Sequence, residues 1–297
     1  MPRRTSLHLL LQSLLGGRCA GVLLSIALAL SVGSVAAAQS PIGSSSPQIA
    51  TSNSSDLPDA PQPQSANSAP SDPEDADAVT LRKTPVNILK DQAAIWTSPA
   101  RIDDHSLAYL VPFVVATTLT ITVDHKVMSS AKLDNPSLNS QAASASNGLL
   151  GGFVAVPVVI YGLGHIQHND EGTETGILAG EAMVDSLVLD EAMKAVTRRE
   201  RPTLDNARGK FFQSGIGMDS SFPSTHCMIA WSSAAVIASE YNSPFIKLTA
   251  YGLATGLSAS RVVAREHFPS DVLVGSTVGW FVGRYVFHKH HRDDYDY

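Results

Sequence analysis

The chain has 297 residues, with 21 Lys and Arg against 27 Asp and Glu, for a formal net charge of −6. This acidic balance argues against a nucleic-acid binder that depends on a basic surface. Its two cysteines exclude a disulfide-rich scaffold and a cysteine-based zinc module. A charged fraction of 16% is low for a cytosolic enzyme and indicates export, a membrane or a disordered segment.

The first 38 residues are arranged like a secretory signal. Three arginines and no acidic residue accompany an apolar run from Ala20 to Val32, and small residues follow, ending at Ala38. We therefore predict a signal peptide over 1–38 and a location in the periplasm or cell envelope, soluble or membrane-associated. An uncleaved anchor helix is the alternative, although the apolar run is short for a membrane span.

Residues 39–80 have a different composition, mainly Ser, Pro, Ala, Asn, Gln and Asp. So few large apolar side chains cannot bury enough surface to offset the conformational entropy of the segment. We predict a disordered linker over 39–80, followed by one catalytic domain over 81–297.

Residues 81–297 have the pattern of an all-α domain. Apolar or amphipathic stretches of helical length alternate with turn residues, and no alternating strand pattern of useful length interrupts them. The predicted fold is a bundle of about six helices with the active site at one end. The stretches are Ser106–Val123, Asn147–Gly164, Gly176–Val196, His226–Ser239, Phe245–Val263 and Val272–Phe287.

A His-x3-Asp pair ends the pattern S-R-x5-H-x3-D. His267 and Asp271 are four residues apart, so at a helix start they share one face. A carboxylate bonded to one imidazole nitrogen fixes the tautomer and leaves the other nitrogen free to attack. Arg261 adds a planar cation for an anion. Alone, the pair is more simply a helix-start histidine beside an acid.

A P-S-x-H pattern predicts a helix N-terminus. Pro223 ends the preceding segment, and Ser224 is a favourable N-cap, so the amides of Thr225 and His226 are free to bind an anion. His226 would stand at the edge of this site, able to donate a proton to a leaving oxygen. The simpler alternative is an ordinary serine cap.

Basic residues end the third predicted helix in the pattern K-x6-R-P. Lys194 lies near the helix end, and Arg201 precedes a proline, so it lies at or past that end. Arg198 and Arg199 are interpreted as bases that compensate the helix dipole. If successive helices run antiparallel, all three patterns meet at one end of the bundle, as a site for a tetrahedral oxyanion such as phosphate requires.

Together these three patterns resemble the type 2 phosphatidic acid phosphatase superfamily, which includes bacterial non-specific acid phosphatases and vanadium haloperoxidases. The resemblance implies a phosphate monoester hydrolase that uses no metal or cofactor, is inhibited by vanadate and forms a phosphohistidine. It implies that His267 is the nucleophile, Asp271 orients it and His226 protonates the leaving alcohol. The phosphate ligands that it implies are Lys194, Arg201, Ser224, Thr225 and Arg261.

Two questions remain open at this level. Thr225 stands where the family usually has glycine, which allows close approach of backbone to phosphate. The alternative functions are a vanadate-dependent haloperoxidase and a non-catalytic envelope protein that binds phosphorylated lipid. Binding alone, however, would need neither histidine.

The expected partner is a phosphorylated lipid or a small phosphate ester, with no nucleic acid. Two uncharged runs of 18 residues approach the thickness of a bilayer. If all six helices spanned it, a cleaved signal would place the phosphate site in the cytoplasm. A periplasmic bundle, soluble or resting on the membrane surface, avoids that conflict, and integral insertion is the alternative.

Overall fold

The computed structural model describes residues 79–130, 133–217 and 219–291, so the predicted signal peptide and residues 39–78 of the predicted linker lie outside it. The described residues are helical and contain no strand, which confirms the all-α prediction. Two short 3-10 helices, Ser98–Arg101 and Asp205–Ala207, join longer elements. The α-helices are α1 (Thr84–Thr97), α2 (Asp104–Met128), α3 (Pro136–Gln167), α4 (Asp170–Thr197), α5 (Thr225–Glu240), α6 (Pro244–Val263) and α7 (Pro269–His290).

Helices α2 to α7 match the six predicted stretches and extend beyond the apolar runs, and side chains cap the first residues of α2 and α3. Asp103 accepts a hydrogen bond from the amide of Ser106 at the start of α2, at 2.8 Å. Asn135 does the same for Leu138 at the start of α3, at 3.2 Å. Helix α1 was not predicted, because its apolar residues alternate with polar ones and form no long run.

Helix α4 turns acidic residues toward the protein interior, whereas the apolar Val184, Leu187 and Val188 are exposed. Its acidic residues Glu181, Asp185 and Asp190 are at most 1% exposed. Their partners come from other helices or from the next turn, as in the 3.0 Å ion pair between Asp190 and Lys194. The sequence therefore correctly predicted a helix here, but it did not show that the charged residues face the protein interior.

Glycines on α7 set the arrangement of α5 and α7. A side chain on Gly275, Gly279 or Gly283 would collide with the α5 backbone, as close as 2.3 Å from the carbonyl oxygen of Ser232. These glycines contact successively later residues of α5, starting at Ser224, so the two helices are parallel. Their N-termini therefore lie at the same end of the bundle, and this proximity positions the site.

Two helices in the described part of the chain, α2 and α3, are long and apolar enough to cross a membrane by length and composition. None of the most apolar 18-residue window of α2 is buried, and a third of that of α3 is. The large exposed side chains of α2 include Tyr109, Val111 and Leu119, each at least 53% exposed. An apolar helix surface of this extent is suited to lipid or to a protein partner.

Two of the three histidines at the end of α7 pair with buried carboxylates instead of facing solvent. The imidazole Nε2 of His290 lies 2.8 Å from Asp91 Oδ2 of α1, and the Nδ1 of His291 lies 2.9 Å from Glu174 Oε1 of α4. Buried carboxylates on α1 and α4 attract them. Only His288 of the three is exposed.

Candidate active site

The three sequence patterns meet where α4 and α6 end and α5 and α7 begin. The Nζ of Lys194, near the end of α4, donates to the hydroxyl of Thr225 at the start of α5. The amide of Ser224 donates to the carbonyl oxygen of Asp271 in α7, at 3.2 Å. The structure thus brings the predicted residues of different helices into one cluster.

His267 is held by a backbone carbonyl as well as by its predicted partner. Its Nδ1 lies 2.7 Å from the carbonyl oxygen of Ser221 and 3.8 Å from Asp271 Oδ2. The closer contact leaves Nε2 as the nitrogen with a free lone pair. Burial lowers the pKa of His267, an effect that Asp271 partly opposes, and the side chain is 2% exposed. The ring is therefore a neutral imidazole, as a nucleophile requires.

Asp271 connects the elements around His267. Its Oδ2 accepts hydrogen bonds from the Ser221 hydroxyl and, at 2.7 Å, from the Phe268 amide. Its Oδ1 lies 2.5 Å from Nη1 of Arg199. Asp271 thus fixes both the start of α7 and the segment whose carbonyl holds His267. Its influence on the imidazole is partly indirect, through Ser221.

Arg199 lies at the centre of this network, contrary to its interpretation as a dipole-compensating base. It is 1% exposed, and besides Asp271 it binds Asp124 Oδ2 of α2 at 2.8 Å. Its guanidinium lies between the rings of Phe211 and Phe268, 4.6 and 4.1 Å from their centroids. No spacing pattern singled it out, because both its carboxylate partners are more than 70 residues away in sequence.

His226 stands at the start of α5 among the site's cations. Its Nε2 lies 2.9 Å from Asn147 Oδ1 of α3, a residue that the sequence placed only within an apolar run. Burial, together with electrostatic repulsion from Arg261, the imidazole of His267, Lys194 and Arg201, lowers the pKa of His226 to about 3. That repulsion shows that these residues converge on His226. In the free protein the imidazole is neutral at neutral pH.

The three predicted phosphate-binding cations each have a carboxylate partner. Lys194 pairs with Asp190, and Arg201 contacts Asp219 at 2.9 Å and Glu266 at 3.1 Å. Arg261 lies 3.6 Å from the same oxygen of Glu266. Glu266 thus bridges the two arginines, and its 39% exposure makes it displaceable by an incoming anion.

Two buried donors of the cluster are poorly satisfied, although the Cys227 thiol lies beside the Ser224 hydroxyl. Ser224 is the N-cap of α5, as predicted, but its hydroxyl makes no capping bond and is fully buried. The Nε of Arg261 is also buried and unpartnered. Its Nη1 is held by Ser146 and Asn147 of α3, at 3.0 and 3.4 Å. Unsatisfied buried donors cost free energy, and a bound oxyanion would satisfy them.

Thr225 is compatible with the helix start despite replacing glycine. It is the first residue of α5, and its φ is not positive. Its hydroxyl donates to Asp190 Oδ2 at 2.7 Å and accepts from Lys194. The side chain is therefore part of the arrangement that positions Lys194.

We expect Thr225→Val to lower kcat/KM about tenfold, because Lys194 and Asp190 each lose a partner while the side-chain volume is kept. One hydrogen bond to a charged group contributes about 1.5–3 kcal/mol. Steady-state kinetics on an aryl phosphate would measure the effect. Thr225→Ser, which keeps the hydroxyl, is the control and should retain activity within about threefold. Equal losses in both variants would contradict the role of the hydroxyl.

Comparison with known proteins identifies the domain. Residues 175–295 match the family model of the PAP2 superfamily. This part of the chain is therefore similar to the PAP2 superfamily. It runs from α4 to beyond α7 and contains all eight predicted site residues, so the resemblance noted in the sequence is confirmed.

Two proteins similar to this chain carry further names. The lipid A 1-phosphatase of Porphyromonas gingivalis is 38% identical over 65 residues, which cover 21% of this chain and 15% of that relative's length. A crystal structure of a transmembrane PAP2-type phosphatidylglycerolphosphate phosphatase from Bacillus subtilis aligns with 72% of this chain and 98% of its own, at 19% identity and a TM-score of 0.39. The segment that aligns with the lipid A 1-phosphatase thus spans less than a sixth of that relative's length.

Proposed function

We propose that the PAP2-like domain hydrolyses phosphate monoesters, with lipid phosphates or small organic phosphates as substrates, through a phosphohistidine at His267. The observation that carries the proposal is the state of His267. Its Nδ1 is bonded to the Ser221 carbonyl at 2.7 Å, which leaves Nε2 free, and burial and the nearby Arg201 and Arg261 lower its pKa. A neutral nucleophile next to cations suits attack on an anionic phosphorus centre.

The reaction has two steps. The Nε2 of His267 attacks phosphorus, an N–P bond forms and the P–O bond to the leaving alcohol breaks. Lys194, Arg201 and Arg261, with the Ser224 hydroxyl, stabilise the charge on the phosphoryl oxygens. Water then attacks phosphorus, the N–P bond breaks and inorganic phosphate leaves. These steps use no metal or cofactor, and vanadate, which resembles the five-coordinate intermediate, is expected to inhibit.

In this scheme His226 donates a proton to the leaving alcohol and later accepts a proton from the attacking water. Its pKa of about 3 in the free protein reflects burial and the surrounding positive charge. A bound phosphate dianion offsets that charge and raises the pKa, so the imidazole can protonate the leaving oxygen. It then accepts the proton of the attacking water. Asn147 keeps the ring in place through its 2.9 Å contact.

A lipid substrate fits both the relatives' names and the exposed apolar surface of α2. We propose that the chain is exported to the cell envelope through the signal at 1–38 and associates with a membrane through α2. Carbonate extraction of cell membranes tests this attachment: protein that stays with the membrane fits spanning by α2 or α3, and protein that is released fits attachment at the surface.

We expect the purified full chain to hydrolyse a generic aryl phosphate in excess chelator and to be inhibited by vanadate. Activity with phosphatidic acid, phosphatidylglycerophosphate, lipid A and small organic phosphates would then identify the substrate class.

His226→Ala should lower kcat about 10²–10⁴-fold, the usual contribution of a general acid and base. Vanadate- and peroxide-dependent halide oxidation without phosphatase activity would instead indicate a haloperoxidase. Tight phosphate binding without turnover would indicate a binding protein.

A further inference from the structure

A second cluster of charged side chains lies far from the phosphate site. Asp91 of α1, Glu181 of α4 and His290 at the end of α7 meet there. Glu181 precedes Lys194 by thirteen residues on α4, which is about 20 Å along a helix axis. The cluster is therefore separate from the PAP2 chemistry, and no step of the proposed reaction uses it.

The spacing within the cluster is close to that of ligands that share an ion. The Nε2 of His290 lies 2.8 Å from Asp91 Oδ2 and 3.5 Å from Glu181 Oε1, and the three donor atoms lie within 4.8 Å of one another. Donor atoms bound to one ion at about 2.1 Å are separated by roughly 3 Å. Three ligands from three helices thus need only small shifts to surround a cation.

Glu181 provides an independent indication of a missing ligand. It is 1% exposed, and its carboxylate is poorly satisfied: neither oxygen has a hydrogen bond of good geometry, the Asn87 side chain interacts with it weakly, and His290 Nε2 approaches to 3.5 Å. Asp185, one turn later on α4, is fully buried and has an unpartnered Oδ2, while Gln92 holds its other oxygen at 2.8 Å. Buried polar atoms are ordinarily satisfied, and unpaired buried carboxylates are especially unfavourable.

Positive charge in the cluster is less than the carboxylates require. Three buried carboxylates face Lys289, which donates to Asp91 Oδ1 at 2.6 Å, and His290. The hydroxyl of Tyr285 also donates to Asp91 Oδ1, at 3.3 Å. Burial raises the pKa of Glu181 to about 7 and that of Asp185 to about 6, with the neighbouring carboxylates adding to both shifts. A divalent cation would neutralise the remaining negative charge of the three carboxylates.

We propose that Asp91, Glu181 and His290 bind a divalent transition-metal ion, with Zn²⁺ as the best match, that ties α1 and α7 to α4. Carboxylate oxygens with an imidazole nitrogen form a common zinc ligand set, whereas Mg²⁺ and Ca²⁺ prefer oxygen ligands alone. Asp185 adds negative charge beside the ion. The ion has a structural role, so the phosphatase reaction remains independent of metal.

The test uses the full chain without an affinity tag, stripped with chelator and then titrated with ZnCl₂, MnCl₂ or MgCl₂. We expect one tightly bound Zn²⁺ by elemental analysis after gel filtration. Zinc at a hundredfold excess over its Kd should raise Tm by roughly 5–10 °C, with less effect from Mn²⁺ and none from Mg²⁺. His290→Ala and Glu181→Gln should each weaken zinc binding at least tenfold.

His288→Ala is the matched control, because His288 is exposed on the same helix end and contacts Arg284 instead, at 2.8 Å. It should bind zinc as the wild type does. If His288→Ala loses zinc as much as His290→Ala does, the ion binds the surface of the C-terminal histidines and the proposal is wrong. If zinc leaves Tm of the wild type unchanged while Glu181→Gln raises Tm without metal, the carboxylates are protonated instead, and the proposal is equally overturned. Zinc binding and Tm are both measured independently of phosphatase activity.

Discussion

Substitution of His267 by alanine is expected to lower kcat on an aryl phosphate by at least about 10⁴-fold, the scale seen when a covalent nucleophile is removed. In the proposed mechanism, the substitution removes the atom that would form the N–P bond but none of the cations that would hold the phosphate. Inorganic phosphate should therefore bind within about fivefold of its wild-type affinity. A loss in kcat with binding retained would separate nucleophilic catalysis from simple recognition.

Rapid quenching with a ³²P-labelled substrate provides the decisive measurement. The wild type should carry label that is lost in acid and kept in base, as expected for a phosphoramidate, and His267→Ala should carry none. His165→Ala is the control, because His165 is exposed and contacts only the ring of Tyr161 among the described side chains, in a stacked arrangement. Full activity of His267→Ala, or label that persists in it, would exclude this mechanism.

Substitution of Arg199 by methionine is expected to have the second large effect, on both stability and activity. Arg199 pairs with Asp124 at 2.8 Å and with Asp271 at 2.5 Å, and all three side chains are at most 3% exposed. Breaking a buried ion pair by removing one partner costs about 3–5 kcal/mol, because the other charge stays buried and unpaired. We also expect kcat/KM to fall at least about 100-fold, since Asp271 is released from the position in which it supports Ser221 and His267.

Two further variants make this prediction testable even if Arg199→Met does not fold. Asp124→Asn leaves the pair between Arg199 and Asp271 intact, so it should lower the free energy of unfolding but change kcat/KM less than tenfold. Arg198→Met removes the same charge from the neighbouring position and should affect both quantities little. Denaturant unfolding and steady-state kinetics measure them. If Asp124→Asn abolishes activity while Arg199→Met retains it, Arg199 does not act through Asp271.

Local patterns in the sequence were sufficient to locate six of the seven described α-helices and the residues of the candidate site. Apolar runs of helical length predicted α2 to α7, and the serine cap predicted the start of α5. These signals depend on neighbours within a few residues, so they can be read without a fold. Helix α1 was not predicted because its mixed composition gives no such signal. The burial of its Asp91 depends on partners in α7, which the local sequence does not show.

Residues whose roles depend on distant partners could not be found in this way. Asn147 contacts His226 across 79 positions, and Arg199 contacts Asp124 across 75. The local sequence around Asn147 and Arg199 gives no sign of these contacts, because Asn147 begins an apolar run and Arg199 lies in a basic helix end. Ser221 was visible beside the P-S-x-H pattern, but its role in holding His267 comes from its backbone carbonyl, to which side-chain patterns do not refer.

The sequence by itself determined the helical class and the family resemblance and predicted the cations and histidines of the candidate site, because helical periodicity, capping and motif spacing are properties of short segments. Only the tertiary structure decided that α5 and α7 run parallel in close contact, that Arg199 is buried between Asp124 and Asp271, and that a second cluster forms around Glu181. These features arise when side chains far apart in sequence share a buried environment. Burial there makes each unpaired charge costly, and the pairings that result depend on how the helices pack.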